Sequence, residues 1–258
     1  MADVKLDDVP PGEPISVSAT LLMTYRKCPQ QALGRVRGVY QPPSRASFKG
    51  LLAHRVFARH LTEGPIARDD LALVCRQETG SHLNLQLADV GLRPSEFQKV
   101  VAEIGDLYDR FTEVDVVGFE QAEVPFEVET AGDVTLKGRI DALFRTDDGL
   151  RISDWKTGAD LDDADAQLAF YAMAWERHSG SPPHVAEAVS LATGERRTVE
   201  PSPESVAAIE EEVAAMVAAI RAAAASGGDL ERIAGPYCRW CPLLDDCEEG
   251  RSALALLD

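Results

Sequence analysis

Apolar positions fall at helical spacing in the first half of the chain and switch to alternation in its middle. Leu21, Leu22 and Tyr25 give an apolar side to a helix over Ala19–Lys27, capped by Ser16-Val17-Ser18 and ended by Cys28-Pro29. Gln41-Pro42-Pro43-Ser44-Arg45 reads as a linker into a second helix over 46–61, with Leu51, His54 and Ala58 on one face. Residues 66–92 give only short helices, and Phe97, Val100, Val101, Ile104, Leu107 and Phe111 mark a long amphipathic helix over 94–114. The period then becomes two over 118–129, 133–144 and 150–156, with turns at Ala131-Gly132 and Asp147-Asp148-Gly149, which predicts a meander of hairpins. A helix over 162–177, a hairpin of 185–192 with 196–200, and an alanine-rich helix over 203–225 behind Ser202 complete the regular part. Residues 1–15 read as a flexible lead, and residues 16–258 as one domain with a core over roughly 46–200.

Composition changes this picture little and charge changes it more. The chain has 258 residues, 45% hydrophobic and 27% charged, which suits a globular protein able to bury a full core. No apolar run is long enough for a membrane span, and the acidic, proline-rich start is unlike a secretory leader, so a cytoplasmic location is expected. A net charge of −17 argues against nucleic acid as a partner. Yet Ser16–Thr62 contains no Asp or Glu and carries Arg26, Lys27, Arg35, Arg37, Arg45, Lys49, Arg55 and Arg59. That segment is either a phosphate track or a basic surface paired with the protein's own acids.

The candidate chemistry gathers around Asp154-Trp155-Lys156-Thr157-Gly158 at the end of a strand. An acid and a lysine two residues apart share one face of a strand, and neither is easily buried unpaired. Asp141, in Gly138-Arg139-Ile140-Asp141-Ala142, lies between apolar neighbours on the preceding strand, where a hairpin can lay it beside Asp154. Two adjacent acids repel unless a cation sits between them, and oxygen ligands of this kind suit Mg²⁺ or Mn²⁺. Lys156 would then orient water or stabilise charge on a phosphorane. His54 offers a nitrogen ligand from inside the basic segment. Gln167 and Tyr171 share a helix face and can contact a phosphate or a base, or simply form a helix edge. In the tail, Cys238, Cys241 and Cys247 supply three thiols, with Cys28 as the natural fourth, a set that suits an iron–sulfur cluster as well as zinc. Cys75 reads as a small buried apolar residue.

Together these motifs resemble the RecB-type branch of the PD-(D/E)XK nuclease superfamily, in particular its iron–sulfur members, which include CRISPR-associated RecB-like exonucleases and the AddB nuclease domain. The resemblance runs from about Ser16 to Cys247 through His54, Asp141, Asp154-x-Lys156, Gln167-x₃-Tyr171 and the one-plus-three cysteines. It implies a restriction-endonuclease-like α/β core of mixed strands flanked by helices. An iron–sulfur cap made from 16–40 and 230–250 would join the N-terminal helix to the C-terminal tail. It further implies a DNA exonuclease in which His54, Asp141, Asp154 and the Trp155 carbonyl hold Mg²⁺ or Mn²⁺ and Lys156 positions water. Gln167, Tyr171, Arg26, Lys49 and Arg55 would face DNA, single-stranded or at ends, and Cys28, Cys238, Cys241 and Cys247 would hold a 4Fe-4S cluster. The family's glutamate on the strand before Asp141 could be Glu123, with Glu120 and Glu127 competing for the place. The alternatives are a DNA-binding or recombination accessory module, its nuclease site idle without a partner helicase, and a zinc-stabilised adaptor.

Overall fold

The computed structural model describes residues 5–257. Its centre is a six-stranded mixed sheet of β1 (Ile15–Val17), β2 (Phe119–Thr130), β3 (Val134–Thr146), β4 (Gly149–Lys156), β5 (Val185–Ser190) and β6 (Arg196–Val199). The meander is present: β2 and β4 both run antiparallel to β3, and β5 then joins β4 in parallel. Strand β3 is shared unequally. One edge carries β2 over nearly its whole length, while the other carries β1 at Val134–Leu136 and β4 only from Ala142 onward. At Gly138 the Phe126 ring occupies the space a Cβ would need, with the nearest atom at 2.5 Å, so only glycine lets β2 lie this close.

Helices cover both faces, giving a three-layer α/β arrangement. On one face α3 (Arg45–Glu63), α4 (Leu71–Glu78) and α6 (Pro94–Phe111) pack on Phe144 and Trp155. On the other, α1 (Ala19–Lys27), α7 (Ala164–Ser179) and α8 (Pro203–Ser226) pack on Leu136, Ile140 and Ile152. Reciprocal serine caps start two of these, Ser44 with Ser47 for α3 and Ser202 with Ser205 for α8. None of the helices among the described residues is long and apolar enough to cross a membrane.

Several expectations need correction. Pro29 does end α1, but it also opens α2 (Pro29–Val36), because proline is tolerated at the first position of a helix. The described part of the lead is packed: Leu6 is fully buried and Val9 nearly so in the α8 face of the core, and β1 pairs with β3. Residues 1–4, expected to be flexible, lie outside the described residues. The core face of α3 is Phe48, Leu52 and Val56, whereas Leu51 stands 48% exposed. The tail adds a helix not foreseen, α9 (Glu248–Ala255).

Leu6→Ala tests the packed lead. Emptying a fully buried leucine site is expected to cost about 2–5 kcal/mol by urea unfolding, and a change within about 0.5 kcal/mol would show the lead to be undocked in solution.

Candidate active site

The site forms where β3 and β4 part. Their last ladder pair is Ala142 with Ser153, yet β4 stays paired to β5 as far as Lys156. The strands thus make a fork, and Asp141 stands in it. Its Oδ2 accepts from the main-chain N–H of Trp155 at 2.6 Å, in place of the backbone partner that β3 no longer supplies. The Trp155 ring points to the opposite face, edge-on to Phe111 and Phe144, and anchors this end of β4 in the core.

Around Asp141 the structure gathers His54 and Glu123. One ligand atom from each of these three side chains lies within 4.8 Å of the others. His54 comes from α3, with Nδ1 at 3.0 Å from Asp141 Oδ1. One turn earlier, Gly50 sets α3 beside Thr157, whose hydroxyl lies 3.6 Å from where a Cβ would stand. Glu123 lies on β2 between the pairs Ala122–Ala142 and Val124–Ile140, which sets it across from Asp141. It alone of the three candidate glutamates points into the site, since Glu120 pairs with Arg145 and Glu127 is exposed opposite Lys137. Its φ of +53° is left-handed in the middle of a strand, a strained conformation for a residue with a side chain. Neither the kink nor the orientation is visible in an alternating pattern, so sequence reasoning could not choose among the three.

The charges at the fork are mutually unfavourable. Burial alone would lower the His54 pKa, but the Asp141 carboxylate, backed by Asp154 and Glu123, raises it to about 9. Burial and then the Asp141 charge push the Glu123 carboxyl up. Buried Asp154 is held well above the usual carboxylate range, first by desolvation and then by Asp141, despite the pull of Lys156. The Lys156 ammonium lies 2.7 Å from Asp154 Oδ2. Crowded acids and a nearby imidazole form a donor set that suits a hard divalent cation.

Asp154 and Lys156 do share a face, and Gln167 from α7 locks them together. Lys156 Nζ donates to Gln167 Oε1 at 2.5 Å, and Gln167 Nε2 donates to Asp154 Oδ1 at 3.3 Å and to the Tyr171 hydroxyl at 3.0 Å. Tyr171 is buried, its ring edge-on to Phe126 and Phe170, so it has no open face on which a base could stack. Burial, then the charges of Asp154 and Asp141, keep its hydroxyl neutral.

A hollow of about 970 Å³ opens beside the fork, lined by His54, Glu123, Asp141, Arg55, Arg139 and Arg35 among others. The basic segment that supplies two of these arginines is largely self-paired. Arg26 pairs with Glu212, Lys27 with Asp163, Arg45 and Lys49 with Glu103, Arg55 with Glu78, and Arg59 with Glu63. Of the three cations expected to face DNA, only Arg55 lines the hollow.

The segments around Lys27–Gln30 and Leu230–Tyr237 are in contact. The Tyr237 hydroxyl donates to the Lys27 carbonyl at 2.7 Å, and the side-chain carbonyl of Gln30 accepts from the Leu230 N–H at 2.7 Å. Cys28 caps α2, Cys238 lies within a 3₁₀ turn that Cys241 follows, and Cys247 caps α9. Burial raises the Cys241 thiol, with the nearby Cys28, Cys238 and Cys247 adding to it. Among the described residues, no three cysteine sulfurs lie within 4.8 Å of one another. Cys75 is buried apart from them between α4 and its neighbours.

Residues 16–248 match the model of the PD-(D/E)XK nuclease superfamily. Among curated proteins no match was found. Among solved structures, a "Putative exonuclease" from Eubacterium rectale is 14% identical, with 91% of this chain and 86% of that chain covered and a TM-score of 0.54. At that identity the likeness shows the fold alone. The protein SSO0001 is 16% identical over 77% of this chain and 95% of that chain, with a TM-score of 0.39. VC1899 from Vibrio cholerae is 14% identical over 75% and 62%, with a TM-score of 0.25. The last two likenesses carry no weight.

Asp154→Asn tests the electrostatic frustration. A carboxyl whose folded pKa lies above its unfolded value costs stability once it ionises, so the cost appears as pH rises through that interval. In EDTA at about pH 7.5 the variant is expected to melt above the parent, the gap closing toward about pH 4 as the parent carboxyl takes up its proton. A variant that melts lower at neutral pH would show that the Lys156 pair outweighs the burial cost.

Proposed function

Because this chain belongs to the PD-(D/E)XK nuclease superfamily, we propose that it is a metal-dependent DNA exonuclease acting on single strands or DNA ends. The observation that carries this is the convergence of His54, Glu123 and Asp141 at the fork, next to Asp154 and Lys156. His54, Glu123 and Asp141 would hold Mg²⁺ or Mn²⁺, with Asp154 and the Trp155 carbonyl as further donors. When bound, such a cation polarises a phosphodiester and makes a water acidic enough to attack it. Lys156 Nζ, held by Asp154 and Gln167, would hold that water or donate to the phosphate oxygen as charge develops. Gln167 keeps the lysine aimed, and buried Tyr171 fixes Gln167, so both act on the DNA through Lys156. Arg55 and Arg139 offer phosphate contacts along the hollow.

One observation favours the accessory reading alongside this one. Six cations of the basic segment are already held by the protein's own acids, so a partner such as a helicase or recombination complex would have to deliver the DNA. Processing in repair, recombination or a CRISPR-type pathway fits either case.

We also propose that Cys28, Cys238, Cys241 and Cys247 hold a 4Fe-4S cluster with a structural role. Main-chain N–H groups of Gly235 and Gly250 point at the Cys238 and Cys247 sulfurs, at 3.4 and 3.3 Å, as suits thiolates.

Two experiments test these readings. With Mn²⁺ supplied, the parent is expected to degrade end-labelled single strands. Lys156→Ala should lose about 100-fold or more while keeping the Mn²⁺-induced rise in melting temperature, and Asp141→Asn should lose that rise. A parent that leaves single-stranded and duplex DNA uncut would refute the nuclease reading, and an unimpaired Lys156→Ala would refute the role of the lysine. Anaerobically purified protein should be brown and contain iron, both lost in Cys238→Ser. A colourless protein with bound zinc would refute the cluster.

A further inference from the structure

Arg35 stands apart from the other cations of the acid-free segment. Six of them pair with carboxylates and Arg37 donates to the Gly228 carbonyl, but among the described residues Arg35 has neither a salt bridge nor a hydrogen bond. Its guanidinium lies over the Tyr40 ring, 5.5 Å from the centroid. Tyr40 itself is 62% exposed. A lone exposed tyrosine is ordinary, and its setting is what distinguishes this one.

Tyr40 borders a second hollow of about 330 Å³, whose wall includes Pro42, Pro43, Phe48 and Leu51. Two prolines directly after Gln41 restrict the backbone and so limit where the ring can go. This hollow shares Arg35, Ser47 and Leu51 with the larger one that contains His54, Glu123 and Asp141, so the two adjoin. Leu51, left exposed on a helix that buries its other large apolar residues at this end, faces this passage. A flat aromatic ring, an unneutralised guanidinium and an apolar wall in one channel match a nucleobase with its phosphate.

We propose that Tyr40 is a stacking platform for an unpaired base of the strand whose backbone enters the catalytic hollow, with Arg35 on the adjoining phosphate. The inference rests on the reading of the chain as a DNA-binding nuclease and deepens it: a base held in a duplex has its faces stacked on its neighbours and cannot reach Tyr40, so this end of the channel selects single strands.

The test measures binding by the full chain in EDTA, by anisotropy of labelled oligo(dT), an abasic strand of equal length, and a duplex. Tyr40→Ala is expected to weaken oligo(dT) binding about five-fold or more, to leave the abasic strand and duplex nearly unchanged, and to be rescued by Tyr40→Trp. Arg35→Gln should reduce the slope of log affinity against log salt by about 0.7. The exposure of Tyr40 lets these substitutions fold, and an unchanged urea midpoint checks that they do. Equal losses on oligo(dT) and the abasic strand, no loss on either, or a parent that does not bind oligo(dT) would each overturn the platform. A chain that binds as described but never cuts would sink the nuclease reading and leave the platform standing. One that cuts single strands with Tyr40→Ala binding unchanged would do the reverse.

Discussion

The separation of β4 from β3 after Ser153 is the constraint on which the site depends. A strand that leaves its partner strands a main-chain N–H, and a buried one cannot go unpaired without cost. Here the Asp141 side chain accepts from Trp155, so the carboxylate that shapes the site also terminates the ladder. The same bond fixes the carboxylate's direction, presenting Oδ1 to His54. On the far face, the Trp155 ring packed against Phe111 and Phe144 keeps β4 from sliding back into register. The fork holds its geometry because a polar bond on one side and an aromatic anchor on the other come from one residue.

That geometry crowds charge. Asp141 and Glu123 converge on one point with Asp154 nearby, and among the described residues His54, Lys156 and the more exposed Arg139 answer them. The left-handed backbone at Glu123 adds strain at the same place. Strain and like charges persist in a fold only when the surrounding structure over-determines them, and here two packed cores and the β2–β3 ladder do so. A cation would reverse the sign of the local electrostatics, turning a repulsive cluster into a ligand set.

Much of this was legible in the sequence, where periodicity and chemistry were local. The change from period 3.6 to period 2 located β2, β3 and β4, and i,i+2 spacing on a strand was enough to put Asp154 and Lys156 on one face. Hairpin register brought Asp141 next to the last ladder pair, Ala142 with Ser153, one position beyond which Asp154 stands. What was not legible depended on tertiary partners. β1 is three residues long and is defined by its pairing with β3 alone. Tyr171 looked like a surface polar group, yet Phe126 and Phe170 enclose it. Leu51, grouped with His54 and Ala58 on one face, stays exposed because α3 buries the adjacent face with Phe48 and Leu52.

The acid-free segment shows why charge composition was the weakest guide. Read as a list, eight cations between Ser16 and Thr62 resemble a phosphate track. In the fold, most of them meet acids from α4, α6, α7 and α8, so the strongly negative remainder of the chain neutralises them locally. A phosphate therefore senses the cations that geometry leaves unpaired, and not the local sum. Among the described residues Arg35, on α2, meets none of these acids and lies over Tyr40 at the rim of the catalytic hollow. An acidic protein can in this way confine its attraction for a polyanion to one channel, where a few kT of local potential act on the strand being threaded and the rest of the surface repels duplex that has not entered.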